Sequence, residues 1–283
     1  MAHNSQDTAP QYLPFVSMVW EYYAAHKRSF PWRETTNSYN IVVSEVMLQQ
    51  TQTDRVVEKY YAFTQALPTF EALAAVDFAE LLALWSGLGY NRRALYLHSL
   101  ARVVVEKYGG ILPDNPELLV ELPGIGKATA ASITAFAFNR PTVFIETNIR
   151  AVFIHEFFAD RTDVHDREVI PHVAATVDQQ NAREWYYALM DYGVMLKKKH
   201  KNPSRRSAHH TQQSRFEGSE RQIRGMILRA LLEQPLLARE DLYARIPREP
   251  GRINNNLDAL CAEGFLMQRG ELYLLTQLPR EAK

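Results

Sequence analysis

The sequence predicts an all-α protein followed by a small α+β domain, and three observations support this fold class. Apolar residues recur at helical spacing through the first three quarters of the chain, whereas alternating, strand-like runs are scarce. After Glu217 the pattern changes to three short amphipathic helices and a hairpin. The composition, with 46% hydrophobic and 23% charged residues in 283, is that of a globular protein with about two domains.

Breaker residues divide the helical part into short segments. The runs with helical spacing are Tyr12–Ala25, Ile41–Phe63, Thr69–Leu84, Ala94–Tyr108 and Ala128–Phe138. Proline and glycine residues lie between them, and the short connections predict a tightly packed helical array.

The C-terminal helices are predicted at Arg221–Glu233, Arg239–Ile246 and Arg252–Glu263. The hairpin strands follow at Gly264–Met267 and Glu271–Leu275. Three helices and a hairpin resemble a winged helix. In one interpretation the third helix enters a DNA groove through residues near its start. In the other, the domain serves for protein interaction or for packing within the protein. The residues concerned are Arg252, Asn254, Asn255 and Asn256.

Charge and cysteine content exclude several classes of protein. Thirty-two Lys and Arg residues balance 32 Asp and Glu residues, so the chain is not uniformly basic. Cys261 is the single cysteine, which excludes an intramolecular disulfide, a four-cysteine zinc site and a cysteine-ligated iron-sulfur cluster. No apolar run reaches about 18 residues and the N-terminus lacks signal-peptide features, so we expect a cytoplasmic protein without membrane contact.

A local basic segment lies within this neutral chain. Between Asp191 and Glu217 there is no acidic residue, while seven Lys and Arg residues occur. The segment is either a solvated linker or a phosphate-contacting loop. In the second interpretation its DNA-binding residues include Lys198, Lys199, Arg205 and Arg206.

The most informative motif is Leu122-Pro-Gly-Ile-Gly-Lys-Ala-Thr-Ala130, between two helical runs. Gly124 and Gly126 allow a tight turn that exposes backbone N–H groups at the start of the next helix, where the helix dipole favours a phosphate. Such a site contacts the DNA backbone without reading sequence, and we assign Lys127 and Thr129 to it. A monovalent cation in this hairpin would be compatible with the motif.

Five motifs in order carry a resemblance to a known family. They are Phe30–Arg33, Ser44–Gln52, Leu84–Tyr90, the glycine-containing hairpin in Leu122–Ala130, and Phe144–Arg150. From about Phe30 to Phe157 the chain resembles the helix-hairpin-helix (HhH-GPD) DNA glycosylase superfamily, and within it the MutY-type adenine glycosylases rather than endonuclease III. The resemblance implies two helical lobes, with DNA and an extruded base in the cleft.

The resemblance also sets the expected domain boundaries. Residues 1–37 would be an N-terminal helix that completes the second lobe, and residues 38–145 the helical glycosylase domain with its hairpin. Residues 146–215 would form the second helical lobe with the basic segment, and residues 216–283 the winged-helix-like domain.

Glu45 lies among apolar residues, including Val42, Val46 and Met47. Such surroundings disfavour the charged form and raise the pKa, which suits a general acid near neutral pH. A helix-surface glutamate with its apolar neighbours on the other face is the alternative interpretation. By resemblance, Glu45 is the acid that protonates adenine.

Glu146 stands where the family carries an aspartate that stabilises positive charge developing on the sugar. The longer side chain either retracts to the same point or misses it by about 1 Å, which would cost on the order of a hundredfold in rate. Alternatively Glu146 only begins a helix, where an acid favours the dipole. By resemblance Asn148 is a further active-site residue.

Ala128 occupies the place where bifunctional members carry a lysine nucleophile. Lys127 is one residue earlier, which turns its side chain by about 100° on a helix. The resemblance therefore implies a monofunctional enzyme that does not cleave the strand through a Schiff base.

Several polar and aromatic residues match DNA-contacting positions of the family. Gln49, Gln50 and Gln52 can bond base edges and fill the gap left by a flipped nucleotide. Tyr90 matches an intercalating tyrosine and Arg33 a base-pocket arginine, although packing roles are the alternative for each.

Two departures limit how far the resemblance extends. The family's four cysteines that hold an iron-sulfur cluster are missing, and the basic segment occupies their place, so we expect no such cluster, no other cofactor and no metal. The family's large C-terminal domain, which helps recognise 8-oxoguanine, is also replaced by the winged-helix-like domain.

The sequence therefore predicts a monofunctional base-excision DNA glycosylase, acting as a monomer on double-stranded DNA with a mismatch or lesion. Its expected substrate is adenine mispaired with 8-oxoguanine or guanine, and a bacterial protein of this kind would associate with the nucleoid. The alternatives are a glycosylase for another damaged or mismatched base, and a non-catalytic protein that binds DNA structure.

Overall fold

A computed structural model describes residues 8–276 of the chain, and it confirms the predicted fold class. The helices of the larger part are α1 Leu13–His26, α2 Ser38–Leu48, α3 Thr53–Ala66, α4 Phe70–Ala75, α5 Phe78–Trp85, α6 Arg92–Tyr108, α7 Pro116–Val120, α8 Lys127–Phe138, α9 Thr147–Phe157, α10 Asp166–Thr176 and α11 Ala182–Lys199. The small domain contains α12 Glu220–Glu233, β1 Leu237–Ala238, α13 Arg239–Arg245, α14 Pro250–Ala262, β2 Leu266–Arg269 and β3 Leu272–Leu275.

Two predicted helical runs are each divided in the structure. The run Ile41–Phe63 breaks between α2 and α3, where Gln50 adopts a left-handed conformation with φ of 55°. The run Thr69–Leu84 breaks because Asp77 caps the start of α5, its carboxylate accepting a hydrogen bond from the Ala79 amide. Apolar periodicity continues across both breaks, so periodicity alone did not reveal them.

The chain divides into two compact units, each made of two separate stretches of sequence, and the predicted domain boundaries stay predictions. The first unit contains the residues up to Glu45 together with Leu112–Gln212, and the second contains Val46–Ile111 together with the residues from Gln213 onward. The hairpin segment thus shares a unit with α1, whereas the small domain shares one with α3 to α6. Long-range packing decides this grouping, and chain order does not show it.

The core of the first unit is built around α11, against which α1, α8 and α9 pack. Phe15 of α1 contacts the rings of Phe153 and Trp185, with centroid distances of 5.4 and 6.2 Å. Gly193 lets α11 approach the start of α9 closely, because a Cβ atom at this position would lie 2.5 Å from the Asn148 carbonyl oxygen. The packing therefore holds the start of α9 against α11.

The basic segment folds back within the first unit without using cysteine. The Arg206 guanidinium donates to the carbonyl oxygens of Phe158 at 2.6 Å and Ile154 at 3.1 Å, at the carboxyl end of α9. Ser207 forms a parallel β-bridge with Val164. These contacts satisfy carbonyl groups that a helix end otherwise leaves without partners.

In the second unit, α3 to α6 enclose the buried rings of Phe63, Phe78 and Trp85. The small domain forms an antiparallel sheet of order β1-β3-β2, covered by α12 and α14. Phe265 of this domain contacts Phe78 of α5, with a centroid distance of 5.8 Å. The small domain therefore shares apolar contacts with the helices of its unit.

The residues proposed to enter a DNA groove are mostly bonded inside the small domain. Arg252 pairs with Glu220, and Asn256 is buried and also donates to Glu220. Asn254 accepts a hydrogen bond from the Tyr243 hydroxyl, while Asn255 is exposed. These bonds favour the interpretation of α14 as a packing helix.

Candidate active site

Glu45 lies near the end of α2, on a helix that is otherwise buried at this point. Val42, Val43 and Met47 are fully enclosed, whereas Glu45 itself keeps part of its surface open. Burial of the carboxyl group raises the pKa of Glu45 to about 7, and a smaller contribution in the same direction comes from the charge of Glu146. Near neutral pH a substantial fraction of Glu45 therefore carries a proton that it can donate.

Ser132 holds the Glu45 carboxyl group in place. Its hydroxyl donates to Glu45 Oε2 at 2.5 Å, and Ser132 Oγ also lies 3.0 Å from the Thr129 carbonyl oxygen. The hydrogen bond opposes part of the pKa increase because it stabilises the charged form of Glu45. Ser132 thus fixes the orientation of the Glu45 carboxyl group and limits the increase in its pKa.

Glu146 is the N-cap residue of α9, and its side chain bends back onto the helix start. Oε1 accepts from the backbone amides of Asn148 at 2.7 Å and Ile149 at 2.8 Å. Oε2 accepts from Asn148 Nδ2 at 3.0 Å. The carboxylate therefore folds back onto the helix start, as the side chain of an N-cap residue does, and the alternative interpretation of Glu146 as a residue that begins a helix predicts the same bonds.

A lysine from α11 adds positive charge to this group. Lys197 is partly buried, which lowers the pKa of its ammonium group, while the attraction of Glu146 acts in the opposite direction. Lys197 lies one helical turn beyond Gly193, the residue that allows α11 to approach Asn148. The first unit therefore combines two carboxyl groups with one amine.

Arg33 belongs to a charged and aromatic cluster of the first unit. Its guanidinium forms two hydrogen bonds of 2.9 Å with Asp191, whose side chain is 1% exposed. The same guanidinium stacks over Tyr187 at 4.5 Å from the ring centroid. Burial raises the pKa of Tyr187, and the nearby charge of Glu45 contributes in the same direction. The structure thus places Arg33 in contact with Asp191 and Tyr187, and the Tyr187 hydroxyl group is near enough to Glu45 for the charge of Glu45 to affect its pKa.

The hairpin that contains Gly124 and Gly126 lies between α7 and α8. Gly124 adopts φ of 79°, which a residue with a side chain rarely adopts, and Gly126 is the N-cap of α8. No side chain caps α8, and Gly124, Gly126 and Lys127 are exposed. The start of α8 is therefore open to solvent at these residues, as a phosphate site at a helix N-terminus requires.

The residues with expected base contacts lie in the second unit. Gln50 and Gln52 are exposed in the link from α2 to α3, and Gln49 is partly buried there. Tyr90 ends the turn before α6 with φ of 48°. The buried Arg93 connects both places, because it donates to the Gln49 carbonyl oxygen at 2.6 Å and to the Gly89 carbonyl oxygen at 3.0 Å.

The basic segment separates into two kinds of residue. Lys198, Lys199 and Arg205 are exposed, so their charges are available to a phosphate backbone. Arg206 is occupied by the carbonyl groups at the end of α9. Among residues 8–276, no cluster of three or more His, Cys, Asp or Glu side chains is placed to hold a metal ion.

The sequence placed Lys197 in the basic segment only, and it did not point to an active-site role for Ser132, Tyr187, Asp191, Lys197 or Arg93. Ser132 is 87 positions from Glu45 in the chain, and Asp191 is 158 positions from Arg33. Only tertiary structure brings these pairs together. The one available signal was Asp191 itself, an acid within an otherwise apolar face of α11, which indicates a buried partner.

Comparison with known proteins identifies the family. A family model described as HhH-GPD superfamily base excision DNA repair protein matches residues 43–190, which is more than half of the chain. This chain belongs to the HhH-GPD superfamily. The match includes Glu45, the hairpin and Glu146, and it confirms the family to which the five sequence motifs pointed.

Individual relatives within the HhH-GPD superfamily are adenine and thymine glycosylases. The chain is 33% identical over 194 residues to the adenine DNA glycosylase of Mycobacterium tuberculosis, covering 67% of this chain and 63% of that one. It is 29% identical over 280 residues to the adenine DNA glycosylase of Mycolicibacterium smegmatis, covering 91% and 94%. A solved thermostable thymine-DNA glycosylase is 28% identical, with a TM-score of 0.59, covering 64% and 85%.

The chain matches only part of the length of some relatives, and its segment after α11 has its own means of attachment. It spans less than two thirds of the length of the mycobacterial relative with 33% identity. The segment that follows α11 holds no cysteine, and Arg206 and Ser207 fix it instead. These residues include no thiolate ligand, so they do not fit a cysteine-ligated iron-sulfur cluster.

Proposed function

We propose that this protein is a monofunctional DNA glycosylase that hydrolyses the bond between a flipped adenine and its deoxyribose. The observation that carries this proposal is Glu45, a carboxyl group with a pKa near 7 that Ser132 holds at 2.5 Å. A departing purine is a poor anion until a ring nitrogen is protonated, so its release needs an acid that is protonated near neutral pH. Glu45 meets this requirement.

The reaction proceeds in steps that the residues of the first unit can support. Glu45 donates its proton to a ring nitrogen of adenine, and the bond from C1′ to the base breaks with the electron pair leaving on the base. The Glu146 carboxylate stabilises the positive charge that develops on the sugar. A water oxygen then bonds to C1′, and its proton passes to a carboxylate of the site.

Ala128 argues for hydrolysis without strand cleavage. The side chain at this exposed position of α8 is a methyl group, which has no amine to attack C1′. The expected product is therefore an intact strand with an abasic site.

Double-stranded DNA is the proposed partner, and adenine opposite 8-oxoguanine or guanine is the proposed target. The names of the mycobacterial relatives support adenine. The exposed residues of the hairpin and the exposed Lys198, Lys199 and Arg205 would contact phosphates. We further propose that the protein acts as a monomer at the chromosome, and the structure offers no described helix that could span a membrane.

A second candidate is removal of a mismatched pyrimidine. The thymine-DNA glycosylase with 28% identity supports it, since it shares the fold over 64% of this chain. A pyrimidine lacks the imidazole nitrogens of a purine, so a strong dependence on the Glu45 proton would favour adenine over thymine.

Single-turnover base release tests the proposal. Excess protein is mixed with duplexes carrying A opposite 8-oxoguanine, A opposite G, T opposite G or U opposite G, and strands are analysed with and without added alkali. We expect release from the A-containing duplexes, breakage only after alkali, and no borohydride-trapped adduct. Release from the T or U duplexes would support the second candidate, and binding without release from any duplex would support a non-catalytic DNA-binding protein.

A further inference from the structure

Tyr90 has an uncommon backbone conformation that its surroundings must maintain. It follows Gly87 and Gly89, which have φ values of 93° and 73°, and it adopts φ of 48° itself. A left-handed conformation is unfavourable for a residue with a Cβ atom, and it persists only where many contacts fix it. The contacts around Tyr90 therefore indicate how this turn is held.

One set of contacts comes from the helices next to the turn. Trp85 Nε1 donates to the Gly89 carbonyl oxygen at 3.1 Å, and Arg93 donates to the Leu88 carbonyl oxygen at 3.2 Å. The Arg93 guanidinium also lies 5.5 Å from the centroid of the Tyr90 ring. These contacts hold the backbone of the turn and leave the hydroxyl end of Tyr90 unaccounted for.

A second set comes from the segment that leads into the small domain. Arg221 Nη1, in the first turn of α12, donates to the Tyr90 hydroxyl oxygen at 2.5 Å, and its guanidinium lies 5.1 Å from the ring centroid. Gln213 Nε2 donates to the same hydroxyl oxygen. Arg221 Nη2 donates to the Ser214 carbonyl oxygen at 2.7 Å, which fixes the guanidinium. Two side chains that come after α11 thus hold one phenol group.

Contacts with α5 and α6 hold the small domain in place, so that a side chain of this domain can position Tyr90. Glu263, at the end of α14, pairs with Arg92 at 2.7 Å and with Arg224 at 2.6 Å. Arg92 is the first residue of α6, two positions after Tyr90. The ring contact between Phe78 and Phe265 adds an apolar attachment nearby. Arg221 therefore acts from a domain that is fixed to the helix following Tyr90.

We propose that Arg221 and Gln213 are positioning residues for Tyr90, so that the small domain takes part in extruding the target base. This inference rests on the proposed function and on the intercalating role that the family resemblance implies for Tyr90. Entry costs unstacking energy, and a side chain that is already oriented in the free protein does not lose further rotamer freedom on binding. The hydrogen bonds to the hydroxyl group supply that orientation.

A double-mutant cycle on extrusion tests the proposal without chemistry. In a Glu45→Gln background, duplexes carry 2-aminopurine as the target base, whose fluorescence rises when it leaves the stack. Tyr90→Phe removes the hydroxyl but keeps the ring, and Arg221→Met removes the donor but keeps a long side chain. Each should lower the extrusion equilibrium about tenfold, the value of one hydrogen bond to a charged donor, and the double variant should lose little more than Tyr90→Phe alone.

The duplex and the control variant separate positioning from damage to the fold. When 2-aminopurine stands opposite an abasic analogue, little pairing must be broken, so the defect should shrink to about twofold or less. Arg229→Met, at an exposed position of the same helix, should leave extrusion unchanged. An equal loss on both duplexes would indicate a folding defect and would overturn the proposal.

Two further outcomes would also contradict this role. Additive losses in the cycle would mean that Arg221 acts independently of the Tyr90 hydroxyl. Greater extrusion by Arg221→Met would mean that the contact restrains Tyr90 from entering DNA. If the proposed function is wrong, the result is different. The unmutated protein would release no base in the single-turnover assay, whereas the double-mutant cycle could still show coupling between Arg221 and Tyr90.

Discussion

The two units hold their charged side chains in contrasting ways. In the first unit the carboxyl groups of Glu45 and Glu146 are partly buried, and burial gives Glu45 a pKa of about 7. In the second unit the buried guanidinium of Arg93 is surrounded by carbonyl oxygens, including those of Met47, Gln49 and Gly89. The first arrangement changes proton affinity, whereas the second fixes backbone shape.

We therefore expect the two units to have different roles in the reaction. Substitutions in the first unit should change the rate of base release and its pH dependence. Substitutions in the second should change how readily the DNA is deformed. Helix α2 contributes to both, since Glu45 belongs to the first unit and Val46 begins the second.

The largest effect is expected from Glu45→Gln. Glutamine keeps the size of the side chain but cannot donate the proton, so base release should fall by about a hundredfold or more in single-turnover assays. DNA affinity should remain. Because the folded-state pKa of Glu45 is raised, its charged form destabilises the fold above neutral pH, and the melting temperature of the variant at pH 8 should be equal or higher.

The matched control is Glu21→Gln, which removes a carboxylate from the exposed face of α1 in the same unit. It should release base at the parental rate. Near-normal release by Glu45→Gln would place the proton donor elsewhere in the chain.

Glu146 should produce the next largest effect. Glu146→Gln keeps an oxygen that can cap α9 but removes the negative charge, so the rate should fall on the order of a hundredfold, as for one lost electrostatic contact at the transition state. Glu146→Asp should keep at least about a tenth of the rate, since aspartate is a preferred N-cap residue and can bond the same amides.

Asp77→Asn is the control for Glu146, because it also removes charge from an N-cap, at the start of α5 in the second unit. Its rate should match the parent. Parental activity in both Glu146 variants would show that the sugar cation is stabilised by another group. Activity that appears only in Glu146→Asp would favour a DNA-binding protein that has lost catalysis.

The basic segment should affect binding more than chemistry. Replacing Lys198, Lys199 and Arg205 together with glutamine should weaken binding to all sequences alike and lower the slope of log affinity against log salt by up to about 0.9 for each lost phosphate contact. Arg206→Gln should instead lower the melting temperature and leave the slope unchanged, because Arg206 bonds the end of α9. An unchanged slope in the triple variant would identify the segment as a solvated linker.

The sequence was sufficient for the helical fold, the small α+β domain and the family. Helical periodicity and five local motifs carried those predictions, and each depends on residues close together in the chain. The breaks at Gln50 and Asp77 were missed because apolar spacing continues through them.

The support around the candidate site could not be predicted in the same way. Ser132 reaches Glu45 only because α8 and α2 meet in the fold, and Arg221 reaches Tyr90 only because the small domain packs on α6. Such pairings follow from tertiary packing, which a single sequence does not specify locally. The motif around Glu45 therefore predicted the acid but neither its orientation nor its hydrogen-bond partner.

The smallest effect is expected from Ser132→Ala, and it appears in the pH profile. Glu45 acts as an acid, so the rate should fall as pH rises through its pKa near 7. The hydroxyl group stabilises the carboxylate form, so its removal should raise the pKa of Glu45. The alkaline limb of the pH–rate profile should then move to higher pH by up to about one pH unit, the equivalent of one hydrogen bond. Ser132→Thr should restore the limb because it keeps the hydroxyl, and Ser99→Ala, which removes a helix hydroxyl from the second unit, should not move it. A uniform loss of rate at every pH in Ser132→Ala would mean that Ser132 serves packing alone, and that the first unit tunes its acid by burial without this bond.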